Sequence, residues 1–122
     1  MMRALGIDAV DIDRFRRALR RSPRLTDRVF TDAERNDVSR RSDPVPSLAA
    51  RFAVREAVMK ALGVGLGGFD LRDVSVVSND SGQPHVRVTG RAADLAARRG
   101  ITSWHLSITH TEQVAIAVVA AA

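Results

Sequence analysis

The sequence predicts an α+β fold with antiparallel hairpins and a long central helix. Short apolar runs separated by turn residues occur in two pairs, residues 74–77 with 84–89 and residues 103–109 with 114–119. A long helical pattern over residues 48–62 lies between the opening strand and those pairs. The resulting order, β, α, α, α, ββ, α, ββ, groups helices and hairpins instead of alternating them, which is the α+β arrangement. With 122 residues, 45% hydrophobic and 27% charged, the chain suits one domain over residues 1–122 around a single core.

Each element has a local cause. The apolar stretch 3–10 reads as a strand ending between Asp8 and Asp11. Ile12, Phe15, Ala18 and Leu19 then fall at helical spacing, with arginines on the other faces, until Ser22-Pro23 stops the helix. Thr31-Asp-Ala-Glu34 has capping-box spacing and starts a second short helix. Pro46 and Ser47 open the central helix, Leu48, Phe52, Met59 and Leu62 are among its apolar positions, and Gly63 ends it. Asn79-Asp-Ser-Gly82 is a turn-forming tetrad between the first paired strands. An alanine-rich helix, 91–99, closes at Gly100, and Thr111-Glu112 turns the second hairpin.

Composition excludes several classes of function. With no cysteine, disulfides, thiolate nucleophiles and cysteine-held metals are impossible, so a metal would need oxygen or imidazole ligands. No apolar run approaches the roughly 20 residues that span a bilayer, and no basic stretch precedes a long apolar one, which points to a cytoplasmic protein without membrane attachment. The net charge is +5, from 18 arginines and a single lysine against 14 acids. Ten of those arginines and only four acids lie between Arg14 and Arg41. Such a patch attracts an acidic partner: nucleic acid, an anionic membrane or an acidic protein. The segment offers only Phe15 and Phe30 for base stacking and no duplex-reading motif, which argues against nucleic acid.

Three groups of residues suggest chemistry. Glu56 and Lys60 stand at i, i+4 on one helix face, the spacing of a surface ion pair. However, Lys60 is the only lysine and lies one turn before Gly63-x-Gly65-x-Gly67-Gly68, a loop whose amides a phosphate can approach closely. The loop follows a helix, so it is neither a P-loop nor a dinucleotide fingerprint. Asp8, at the strand end, is either a cap or, together with Glu56, half of a magnesium site, since Mg²⁺ takes one or two carboxylates plus water and phosphate. Alternation in residues 104–110 puts His105, Ser107 and Thr109 on one strand face with His110 beyond, either a solvent-facing sheet or a hydrogen-bonding surface for anions.

Taken in order, Gly6-Ile-Asp8-Ala-Val-Asp-Ile-Asp-Arg14-Phe15, Phe30-Thr-Asp-Ala-Glu34, Arg51-Phe-Ala-Val-Arg-Glu56-Ala-Val-Met-Lys60-Ala-Leu-Gly63-Val-Gly65, Gly82-Gln-Pro84 and His105-Leu-Ser-Ile-Thr-His110 resemble the holo-acyl carrier protein synthase family, the short class of 4′-phosphopantetheinyl transferases. The resemblance runs almost end to end. It implies a single transferase domain that moves 4′-phosphopantetheine from coenzyme A to a serine of apo acyl carrier protein, releasing adenosine 3′,5′-bisphosphate, in fatty acid or polyketide biosynthesis. By the family pattern Asp8 and Glu56 hold Mg²⁺ and Lys60 contacts the pyrophosphate; these three are the implied catalytic residues. The same pattern assigns Arg51, Gly63, Gly65, Gln83, Pro84, His105, Ser107, Thr109 and His110 to coenzyme A. It assigns Arg14, Arg21, Arg24 and Arg28 to the acidic carrier protein. The serine proton passes to a metal-proximal water or to a carboxylate. A homotrimer with sites shared between subunits is implied as well. Two positions depart from the pattern: Arg55 stands where the family usually has Lys before the Glu, and Gln83 where it often has Lys before the Pro.

Overall fold

The computed structural model describes all 122 residues, Met1–Ala122. Strand β1 (Ala4–Asp11) leads into α1 (Ile12–Arg21), α2 (Leu25–Val29), α3 (Asp32–Val38) and α4 (Val45–Leu62). A 3-10 turn at Leu71–Asp73 precedes β2 (Val74–Ser78) and β3 (Pro84–Val88), followed by α5 (Gly90–Arg98), β4 (Trp104–His110) and β5 (Val114–Ala121). The α+β class, the two hairpins and the long helix are therefore as expected. The additional elements are α2, five residues without a side-chain cap, and the turn at Leu71–Asp73. The central helix also begins earlier than expected, with Pro46 inside its first turn, where a missing N–H costs nothing.

The strands form two antiparallel sheets, β1-β5-β4 and β2-β3. Register in the larger sheet aligns Leu5–Ala120–His105, Ile7–Val118–Ser107 and Ala9–Ile116–Thr109 on one face. Gly6–Val119–Leu106 and Asp8–Ala117–Ile108 occupy the other. That second face packs on α4, which is buried on most of its circumference and rich in alanine: Ala49, Ala50, Ala53, Ala57 and Ala61 are all buried.

Small side chains allow close approach, and the tightest point is Gly6 against α4. A Cβ at Gly6 would lie 1.8 Å from the Ala57 carbonyl oxygen, so only glycine fits. Two hydrophobic clusters result. The larger joins the sheets with α4 and α5, while the smaller gathers Ile12, Phe15, Val29, Phe30 and Val38 under the first half of α4. Val10, Leu71 and Ile108 pack against both. No helix is long and apolar enough to cross a membrane.

Candidate active site

Asp8 follows Gly6 by two residues and therefore points to the same sheet face, toward α4. The close approach at Gly6 brings it to the middle of that helix. Lys60 Nζ donates to Asp8 Oδ1 at 3.0 Å and to the Ile7 carbonyl at 3.0 Å. The spacing of Glu56 and Lys60 is that of a surface ion pair; the structure pairs the lysine with Asp8 of β1 instead. Asp8 is thus no cap, and the N-cap of α1 is Asp11, whose Oδ1 accepts from the Arg14 amide at 2.8 Å.

Glu56 has no hydrogen-bond or ion-pair partner. Burial, then the charge of Asp8, raise its pKa above the usual carboxylate range, only partly countered by Lys60. Two carboxylates beside one ammonium, one of them unpaired and held uncomfortably as an anion, form a donor set that gains from a cation. They open on a cavity of about 590 Å³ between β1, α1, α2 and α4. Its walls include Asp8, Asp11, Arg14 and Glu56 among apolar side chains of Phe15, Leu25, Phe52, Leu66 and Leu71. Leu66 is three-quarters exposed, at the tip of the glycine-rich loop.

The apolar lining is not marked in the sequence, since a Phe or Leu at helical spacing reads equally as core, and Phe15 is both buried in the smaller hydrophobic cluster and part of the cavity wall. The expected coenzyme A residues fall elsewhere. Gly63 ends α4 in the left-handed conformation, φ 70°, and Gly65 follows in the loop. Gln83 and Pro84 close the β2–β3 hairpin. Arg51 sits on α4, where its Nη1 donates to the Ser47 hydroxyl, and burial lowers its pKa. His105, Ser107 and Thr109 are exposed on β4, on the sheet face opposite Asp8. Within one chain they cannot meet the two carboxylates.

Residues 4–119 match the family model of the 4′-phosphopantetheinyl transferase superfamily. The chain belongs to this family. It is 49% identical over 117 residues to the holo-acyl-carrier-protein synthase of Streptomyces avermitilis, covering 96% of this chain and 94% of the relative. To the synthase of Clavibacter michiganensis subsp. michiganensis it is 47% identical over 119 residues, 98% of this chain and 94% of the relative. Among solved structures, the Neisseria meningitidis synthase superposes with TM-score 0.89 at 27% identity, over 100% of this chain and 99% of the other. The Helicobacter pylori synthase in complex with coenzyme A gives TM-score 0.81 at 28% identity, over 97% and 99%.

As a phosphopantetheinyl transferase the chain departs from the family's usual Lys at Arg55, and the structure shows what the arginine does. It is fully buried. Its Nη1 donates to Glu34 Oε2 at 3.0 Å, its Nη2 to Glu34 Oε1, and its Nε to the Leu71 carbonyl at 2.8 Å. The guanidinium also stacks 4.8 Å over the Phe30 ring. It faces the core, not a phosphate. Among the arginines of the basic segment, Arg16 pairs with Asp43, and Arg35 with Asp27 and Asp32. Arg14, Arg21, Arg24 and Arg28 are exposed and make no ion pair; Arg24 and Arg28 flank Leu25 around a second cavity of about 440 Å³.

Proposed function

We propose that this chain, as a single transferase domain, moves 4′-phosphopantetheine from coenzyme A to a serine hydroxyl of an apo acyl carrier protein. The products are holo carrier protein and adenosine 3′,5′-bisphosphate, and the reaction serves fatty acid or polyketide biosynthesis in the cytoplasm. The observation that carries the reading is a pair of carboxylates, Asp8 and unpaired Glu56, on the wall of one cavity, with Lys60 3.0 Å from Asp8.

Asp8 and Glu56 would hold Mg²⁺, which supplies charge neutralisation for the pyrophosphate of coenzyme A as the bond to the bisphosphate breaks. The serine oxygen attacks the phosphorus bearing the pantetheine arm, and the serine proton goes to a water or a carboxylate. Lys60, a compact ammonium on a half-exposed stem, contacts the pyrophosphate and returns a proton to the leaving oxygen. Gly63, Gly65, Gln83, Pro84 and Arg51 border the coenzyme. Arg14, Arg21, Arg24 and Arg28, exposed and uncommitted, meet the acidic carrier protein and raise its on-rate.

The assembly is a homotrimer. Leu5 and Ile7 are 57% and 56% exposed on the outer sheet face, beside His105, Ser107 and Thr109. A neighbouring subunit covers those apolar side chains and brings its own His105, Ser107, Thr109 and His110 to the carboxylates across the interface.

The test is the mass of an apo carrier protein after incubation with coenzyme A and Mg²⁺. One phosphopantetheine should be gained, and Glu56→Ala should abolish the gain without changing the far-UV circular dichroism. Retained transfer by Glu56→Ala at saturating Mg²⁺ would overturn the metal assignment, and tight RNA or DNA binding with no transfer would favour a basic nucleic-acid module.

A further inference from the structure

The glycine-rich loop between α4 and β2 has little packing of its own. Added Cβ atoms at Gly65 and Gly67 would meet nothing within 4 Å, and Gly67 has φ 90°. The amides of Gly65, Leu66 and Gly67 donate to no group in the chain. The only internal bond of the tip is Gly68 N to Gly65 O at 3.0 Å.

Helix α5 and its flanking residues Thr89 and Arg99 bond to the end of α4, to the loop tip and to the turn that closes the loop. Arg99 Nη1 donates to the Ala61 carbonyl at 3.4 Å, and its guanidinium lies where a Cβ on Gly63 would go. Arg91 Nε donates to the Gly68 carbonyl at 2.8 Å. At the far end the Ala92 amide donates to Asp73 Oδ2 at 3.4 Å, and the Thr89 amide to the Asp73 carbonyl at 2.7 Å. The start and the end of the loop are also packed or built into neighbouring elements. The tip is not, and Arg91 is the only side chain bonded to it.

We propose that Arg91 is a positioning residue for coenzyme A, holding the Gly65–Gly68 tip through the Gly68 carbonyl at the mouth of the cavity that contains Asp8 and Glu56. This rests on the transferase reading above and adds a residue remote from the reacting atoms. Losing one such bond leaves the fold intact, because Arg91 is exposed, but lets the tip wander. Binding of the coenzyme must then order it again. The cost falls on KM for coenzyme A and not on the chemical step.

Three variants test this: Arg91→Ala, Arg91→Lys, and Arg98→Ala, which removes an exposed positive charge from the same helix without removing a bond. Arg91→Ala should raise KM for coenzyme A roughly fivefold, the worth of one ordinary hydrogen bond, with kcat and KM for the carrier protein unchanged. Arg91→Lys, able to donate to the same carbonyl, should restore most of the loss, and Arg98→Ala should behave as the parent. In the protein without coenzyme A, hydrogen exchange of the Gly68 amide should quicken in Arg91→Ala alone. An unchanged KM, an equal effect of Arg98→Ala, or a raised KM with unaltered Gly68 exchange would overturn the proposal; the last would mean that Arg91 touches the coenzyme itself. The exchange measurement needs no turnover, so a parent protein without transferase activity would sink the functional reading while leaving the tether to be judged separately.

Discussion

Replacing Arg55 should unfold this protein more readily than any exposed arginine change, and the structure gives the size. Arg55 and Glu34 are both fully buried and bonded through both carboxylate oxygens. Glu34 also accepts from the Val76 amide at 3.0 Å and the Thr31 amide at 3.0 Å. Arg55→Met keeps those two amides on the carboxylate but removes its counter-charge, leaving a buried anion, which costs about 3–5 kcal/mol. The Leu71 carbonyl loses its donor as well. Glu34→Met makes the mirror error, a buried cation. The double variant should therefore fall short of the summed single losses by about 2–3 kcal/mol.

The measurement is urea unfolding followed by the fluorescence of Trp104, the only tryptophan, at fixed chain concentration. An additive double variant, or an Arg55→Met loss under about 1 kcal/mol, would refute the reasoning, since no named mechanism gives so little for a buried charge left alone. The pH dependence offers a second check. Burial pushes the Glu34 pKa up, but the hydrogen bonds and charge of Arg55, with the Thr31 and Val76 amides, outweigh it and hold the pKa below the usual carboxylate range. A depressed pKa contributes stability that is complete above the unfolded value and lost as pH falls through the folded one. Parent stability should decline below about pH 4.5 on this account, and Arg55→Met should lose that part of the acid slope.

Gly6→Ala should abolish or nearly abolish transfer and cost about 1–3 kcal/mol or more in the same unfolding assay, because strand and helix must separate; parent-like activity would show that the close approach is dispensable. Arg14→Glu should raise KM for the carrier protein far more than for coenzyme A, with the difference shrinking at high salt; equal effects on both substrates would contradict the docking role. Sedimentation should report three subunits, and mixing inactive Glu56→Ala with a variant inactivated at His105 and Ser107 should restore part of the activity. An active monomer, or no restoration after subunit exchange, would remove the shared site.

Local signals were legible where they are short-range. The Thr31–Glu34 capping box, the hairpin turn at Asn79–Gly82 and the αL stop at Gly63 all appear as written in the sequence. Helix α2 was not legible: five residues with no cap are held by what Val29 packs against, and that is decided by distant residues. The same limit applied at the site. Asp8, Glu56 and Lys60 stand out in the sequence by residue type, spacing and family resemblance, but the choice of Asp8 over Glu56 as the partner of Lys60 depends on a strand crossing a helix. Arg55 was the hardest to read, because an arginine among active-site letters looks like a ligand for anions, and only the buried Glu34, 21 residues away, reveals it as a core strut.

The contact between Gly6 and the Ala57 carbonyl means that the spacing of the two acids is encoded outside either of them, in a hydrogen atom standing where other residues carry a methyl group. On the proposed function, a homologue that kept Asp8, Glu56 and Lys60 would still be inert if alanine replaced that glycine. Judging such a chain by its reactive side chains alone would miss the one position that lets them meet.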